Sequence, residues 1–177
     1  MHETSACPSE ARQNALVGNF CPPWTVWLVR ELDVLHEISS RLENQPESAL
    51  IKKTDGYKLG ELYACKTAEG WFRGRLDKLK PLRAFLIDYG REEQDLLQLV
   101  PLGGLNKIVP PLASRLQIFN GDLESRRVEA KLKSLLKQCT KVEALVDSDN
   151  GSCVLWVDGQ NVLEAAGHLA RVEVMHR

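Results

Sequence analysis

The spacing of hydrophobic and polar positions changes several times along this chain, and each change predicts an element. Trp24-Thr25-Val26-Trp27-Leu28-Val29 concentrates β-branched and aromatic residues and predicts a strand. From Glu31 the repeat lengthens. Leu32, Val34, Leu35, Ile38 and Leu42 fall near helical spacing, so an amphipathic helix is expected over 31–43. Residues 1–19 are polar and irregular and read as a flexible lead-in, and 44–58, with Pro46, Gly56 and several charges, read as a connecting loop. Short strands follow. Leu62–Thr67 meets a tight turn at Ala68-Glu69-Gly70, and in Trp71–Leu79 the positions Phe72, Gly74 and Leu76 alternate with Trp71, Arg73, Arg75 and Asp77. Leu82–Tyr89 is expected as a third strand, Gly90 as a bend, and Arg91–Leu99 as a fourth strand leading into Val100-Pro101-Leu102. Short antiparallel strands at this spacing predict a small, strongly bent barrel over 59–102.

The second half repeats the alternation without repeating the sequence. Leu112–Ile118 predicts a strand and Asn120-Gly121-Asp122 a turn. Leu123–Cys139 carries Val128, Leu132, Leu135 and Leu136 at helical spacing. Thr140–Val146 and Ser152–Val157 flank Asp147-Ser148-Asp149-Asn150-Gly151, where Asn-Gly favours a hairpin turn. Asn161–Leu169 reads as a short strand running into a helix. Residues 20–45 offer one strand and one helix, too little apolar surface to fold alone. They are expected to share one core with 103–177, with the barrel of 59–102 inserted between them. The expected class is α+β, mostly β.

Composition narrows the function classes. The 177 residues are 44% hydrophobic and 27% charged, as in a soluble globular protein. Lys and Arg number 23 against 24 Asp and Glu, a net charge of −1 that argues against a strongly electrostatic nucleic-acid binder. No apolar run approaches the ~20 residues of a membrane span, and the polar start carries no signal peptide pattern. The cysteines, Cys7, Cys21, Cys65, Cys139 and Cys153, are widely spaced, and the histidines show no ligand spacing, so reduced thiols in a cytosolic protein are expected, with no metal or other cofactor.

Three segments carry a family resemblance: Gly60-Glu61-Leu62-Tyr63-Ala64-Cys65, Trp71-Phe72-Arg73-Gly74 and Phe85-Leu86-Ile87-Asp88-Tyr89-Gly90. With Val109-Pro110-Pro111-Leu112-Ala113 they resemble the extended Tudor domain, a Tudor barrel inserted into a staphylococcal-nuclease-like, oligonucleotide-binding-type fold, over about residues 20–172. The resemblance implies a non-enzymatic module that holds peptides bearing symmetric dimethylarginine in a cage of four aromatics with an Asn. Carried over by position, the cage falls on Thr67, Phe72, Leu86 and Tyr89, and the Asn falls on Arg91. Thr67 and Leu86 have no π face, and Arg91 places a cation and donors where an acceptor is needed. Weak or absent preference for methylated arginine is therefore expected.

The carboxylates Glu69, Asp88, Glu92, Glu93 and Asp95 cluster near the same rim and suit unmethylated arginine. The expected peptide site is Thr67, Phe72, Leu86, Asp88, Tyr89, Arg91, Glu92 and Glu93. Plainer roles stay open: Phe72 and Tyr89 as barrel core, Asp88 as a turn cap, and Arg91 as a partner of a neighbouring carboxylate that leaves the pocket partly open. The resemblance implies, as partner, the arginine-rich tail of a PIWI-clade Argonaute and, as setting, a scaffold of the germline piRNA pathway in the cytoplasm or a perinuclear granule. No membrane partner is expected. Catalysis would need grouped carboxylates with arginines, and no such pattern stands in 20–45 or the second half. RNA contact or self-association is the alternative, through Arg115, Arg126, Arg127, Lys131, Lys133, Lys137 and Lys141.

Overall fold

The computed structural model of the chain describes residues 11–44, 56–119 and 126–167. Most of the loop expected over 44–58, the turn at 120–122, the start of the helix expected from Leu123 and everything after 167 lie outside the described residues.

Two sheets organise the molecule. The first is built from β1 (Gln13–Cys21), β2 (Thr25–Val29), β8 (Ala113–Ile118), β9 (Lys141–Asp147), β10 (Ser152–Val157) and the short β11 (Gln160–Asn161). β1 pairs β2, β2 pairs β8, β8 runs parallel to β10, β10 pairs β9, and β9 returns to β1, so the sheet closes on itself. Its interior holds Val17, Val26, Leu28, Leu116, Ala144 and Leu155. The helices α3 (Arg126–Leu135) and α4 (Val162–Ala165) supply Val128, Leu132, Val162 and Leu163 to the same core. Asn161 caps α4, its side-chain oxygen accepting the Leu163 N–H at 2.9 Å.

The second sheet has the order β6-β5-β4-β3-β7, from β3 (Leu62–Thr67), β4 (Gly70–Leu79), β5 (Leu82–Leu86), β6 (Arg91–Glu93) and β7 (Gln98–Pro101). Tyr63, Cys65, Leu76, Ala84, Leu86 and Leu99 fill its concave side. This is the expected small barrel, with one difference. The single strand expected over Arg91–Leu99 is two, β6 on one edge against β5 and β7 on the other against β3. A four-residue helix, α2 (Leu105–Ile108), was not predicted by the periodicity.

Two further expectations are corrected. The lead-in of 1–19 ends in a nine-residue strand, since β1 begins at Gln13 and is paired on both sides. The helix α1 (Leu32–Glu43) does not enter the core of the closed barrel. Leu35, Ile38 and Leu42 pack instead with Val29, Ala64, Val100, Leu102, Leu112 and Ala113, a cluster drawing on both sheets. α1 is therefore the wedge that joins them.

Each barrel interior holds one buried thiol, Cys65 and Cys153, and burial pushes each up to about 12. The protonated form is favoured in the folded state, so stability is full below the unfolded thiol value and is lost as pH rises toward the folded one. The unfolding free energy from urea titrations should be flat up to pH about 9 and then fall, by roughly 2 kcal/mol per thiol by pH about 10.5. Cys65→Ala/Cys153→Ala should flatten the fall in a midpoint-against-pH series.

Candidate functional site

The segment Leu86–Arg91 lies where the two sheets meet, and its backbone is fixed first. The N–H groups of Tyr89 and Gly90 both donate to the Leu86 carbonyl, at 3.2 and 2.9 Å, closing a tight turn. Gly90 has φ +68 and lies against the indole of Trp27, so close that a Cβ would stand 2.1 Å from a ring carbon. Gly18, at the bulge of β1, faces the Tyr89 carbonyl oxygen, which a Cβ would approach to 2.4 Å. Asn19 Nδ2 donates to the Gly90 carbonyl at 3.1 Å, and Trp27 meets Phe85 edge to face at 5.5 Å. The motif that turns the second sheet is thus also the plug that seats it on the first.

Asp88 belongs to this joint and not to a ligand. Arg73 Nε and Nη2 donate to its two oxygens at 2.7 and 2.5 Å, and the Leu112 N–H donates to Oδ1 at 3.1 Å. Arg73 is 1% exposed, and its remaining N–H groups donate to the carbonyls of Asn106, Val109 and Pro110 at 2.6–2.9 Å. One buried bidentate pair therefore ties β4, the turn and the segment leading into β8. The expected charge role of Asp88 toward a peptide is corrected on this geometry, because both oxygens are buried and occupied.

Around the turn, Phe72 and Tyr89 stand perpendicular, ring centroids 5.2 Å apart at 84°. They form a two-ring corner. The Arg91 guanidinium lies over the Phe72 ring at 5.7 Å. Its Nη2 is 2.6 Å from Glu69 Oε2 and 3.7 Å from Glu93 Oε2, and its Nη1 donates to Gln138 Oε1. The Arg91 side chain is 16% exposed, and its Nε is buried with no hydrogen-bond partner among the described residues. Burial pushes the Tyr89 phenol up to about 12, helped by the Cys139 thiol and Asp88 and opposed by Arg91 and a hydrogen bond with Ser39 of α1. Cys139, just after α3, also sits high, from burial first, with Arg91 opposing. Both groups are neutral at physiological pH, so the charge of the site is that of Arg91 and its carboxylates.

The structure divides the sequence-predicted residues. Phe72, Tyr89, Arg91 and Glu93 come together. Thr67 is buried and lines nothing. Its Oγ1 accepts the Glu69 N–H at 3.0 Å and so shapes the turn that carries Glu69. Leu86 is fully buried among Cys65, Leu76 and Ala84, which corrects its expected place on a pocket wall. Glu92 alternates to the opposite face of β6 from Arg91 and pairs with Arg83 at 3.2 Å, away from the corner. Gln138 has no signal in the sequence, being 47 residues from Arg91 and brought there by the other sheet's connection to β9. Among the described residues no group of His, Cys, Asp and Glu is arranged to hold a metal ion, and no helix is long and apolar enough to cross a membrane.

No family model matches this sequence, and no curated protein does. Solved structures do match by fold. A complex of Tudor and Aubergine superposes with TM-score 0.65 at 17% identity, over 87% of this chain and 98% of that one. The human TDRD1 extended Tudor domain, in complex with a symmetrically dimethylated peptide, gives TM-score 0.66 at 16% identity over 92% of each chain. The extended Tudor domain of Drosophila melanogaster Tudor-SN gives 0.67 at 16% identity, over 86% of this chain and 79% of that one. A closed barrel, a second bent barrel set on it through an Asp-Tyr-Gly turn and a helix wedged between them give this chain the fold seen in extended Tudor domains.

Proposed function

We propose that this chain is a non-enzymatic peptide-binding module that seats an arginine of a disordered segment at the Phe72–Tyr89 corner and does not require its methylation. One observation carries this reading: the corner already holds a guanidinium, that of Arg91, against Glu69, Glu93 and Gln138. The acceptors around it are suited to N–H donors. Each N-methyl group replaces a donor, and a two-ring corner returns only ~0.5–2 kcal/mol per well-placed ring. Where a full cage would reward methylation, this one removes hydrogen bonds. The partner proposed is the arginine-rich tail of a PIWI-clade Argonaute, in a cytoplasmic germline scaffold; in support, one structure of like fold is a complex of Tudor with Aubergine carrying a symmetrically dimethylated arginine.

Calorimetry with matched unmethylated and symmetrically dimethylated arginine peptides tests it. Equal or tighter binding of the unmethylated peptide is expected, and a preference of tenfold or more for the methylated one would sink the reading. A second reading rests on α3 and the residues after it. Arg126, Arg127, Lys131, Lys133 and Lys137 are exposed there and form no ion pair among the described residues. RNA affinity that falls steeply with salt, together with no arginine-peptide binding, would favour that face instead.

A further inference from the structure

We infer that Arg91 is a resident occupant of the guanidinium seat, an internal competitor that an incoming arginine has to displace. The inference rests on the peptide-binding reading for its consequence, but the occupancy stands on geometry alone. The position that the family resemblance gives to an Asn amide carries Arg91, and an amide reappears opposite it from elsewhere in the chain, as Gln138. Donor and acceptor have changed places. The two terminal nitrogens and the guanidinium plane have the partners a ligand arginine would need, namely an aromatic face at 5.7 Å, a carboxylate at 2.6 Å, a second at 3.7 Å and the amide, while Nε is left without one among the described residues. Thr67 adds to the arrangement by holding the turn that presents Glu69. An ordinary surface arginine has no such enclosure. Arg12, for comparison, lies over Trp156 with its side chain 51% exposed and a single carboxylate at 3.4 Å.

Occupancy from within changes what the site selects. A tethered group competes at an effective concentration in the millimolar range when its reach matches the seat. If the seat is free only ~1–10% of the time, measured affinity for an arginine ligand is reduced ~10–100-fold. The ligand that succeeds must therefore gain from contacts beyond its arginine. Methylation supplies none of these. Arg91 is in this sense a specificity-determining residue, rejecting isolated arginines of either kind and admitting only a segment that also binds along the joint between the sheets.

The test uses the whole chain, labelled with nitrogen-15, and an unmethylated peptide of Gly-Arg-Gly repeats. In the free protein the Arg91 Nε–H should exchange with water at least tenfold more slowly than that of Arg12. Arg91→Ala and Arg91→Asn should each bind the peptide at least tenfold more tightly than the unsubstituted protein. In the latter, the peptide should return the Arg91 Nε–H to fast exchange. An Arg91 signal that exchanges as fast as that of Arg12, or variants that bind no tighter than a parent that does bind, would overturn the inference. Slow exchange that is lost in Glu69→Gln/Glu93→Gln, with no peptide bound by the parent or either Arg91 variant, would uphold the occupancy and remove the peptide reading.

Discussion

Asp88→Asn should lower the unfolding free energy by about 3–5 kcal/mol, the range for a buried pair that loses one partner. The substitution keeps the shape of the side chain and removes the charge. Arg73, 1% exposed, would then be a buried cation whose only carboxylate had become an amide. The amide can offer one oxygen where two are used, and its NH2 would face the guanidinium N–H or the Leu112 N–H, donor against donor. An ordinary domain has only ~5–15 kcal/mol to lose. The midpoint in urea should drop sharply with the slope unchanged. Arg73→Met should cost as much or more, since the carbonyls of Asn106, Val109 and Pro110 lose their donor as well. The double variant should be far less destabilised than the sum of the two, because the residues act as one unit. A cost below about 1 kcal/mol for Asp88→Asn would show that the pair does not hold the sheets together.

That result would also mark where sequence reading stops. The elements were legible because burial on one side imposes its period. The helical spacing of Leu35, Ile38 and Leu42 survives in the structure, whereas the two-residue repeat of Trp71–Leu79 holds only through Leu76: a bulge breaks it before Lys78, and its other face carries Arg73, buried, and Trp71, packed on the cluster between the sheets. β1 was hidden for the opposite reason. Of its side chains Ala15 and Val17 are buried in the closed core and Phe20 packs partly against it, Leu16 turns to the other cluster, its first two residues are polar, and its partners β2 and β9 complete it from elsewhere. At the site, Phe72, Tyr89 and the cation at 91 were named through the family resemblance. The side to which the bend sends each neighbour was not. Leu86 and Asp88 flank the turn as Tyr89 does, yet one fills the barrel and the other anchors Arg73. The resemblance put a cation, Arg91, at the position of the cage Asn. What it lacked was Gln138, whose approach depends on how two sheets are set together. One expectation had Arg91 pair with a neighbouring carboxylate and leave the pocket partly open; it does pair with Glu69 and Glu93, and its guanidinium lies over Phe72.

Gly90→Ala should destabilise the protein by about 3 kcal/mol or more and remove arginine-peptide binding with it. Two costs combine. A side chain at φ +68 costs roughly 1 kcal/mol, because left-handed backbone crowds Cβ against the carbonyl oxygen. The added methyl would also stand 2.1 Å from the Trp27 ring, and overpacking of that kind costs about 1–3 kcal/mol or more. The indole has little room to move, because its far side packs edge to face on Phe85. Relief can come only from the two sheets separating at the turn, which would pull Tyr89 from Gly18 and break the Asn19 contact to the Gly90 carbonyl. Tyr89 and Arg91 lie on either side of this residue, so a shift there opens the corner between Phe72 and Gln138. Gly90→Ala/Trp27→Leu should be less destabilised than the sum of the single variants, since the smaller side chain leaves space for the methyl. Chemical denaturation of the set, read beside the Arg91 Nε–H signal, checks both halves. A Gly90→Ala protein of parental stability, or one that keeps the Arg91 signal in slow exchange, would contradict the close approach on which the joint and the site both depend.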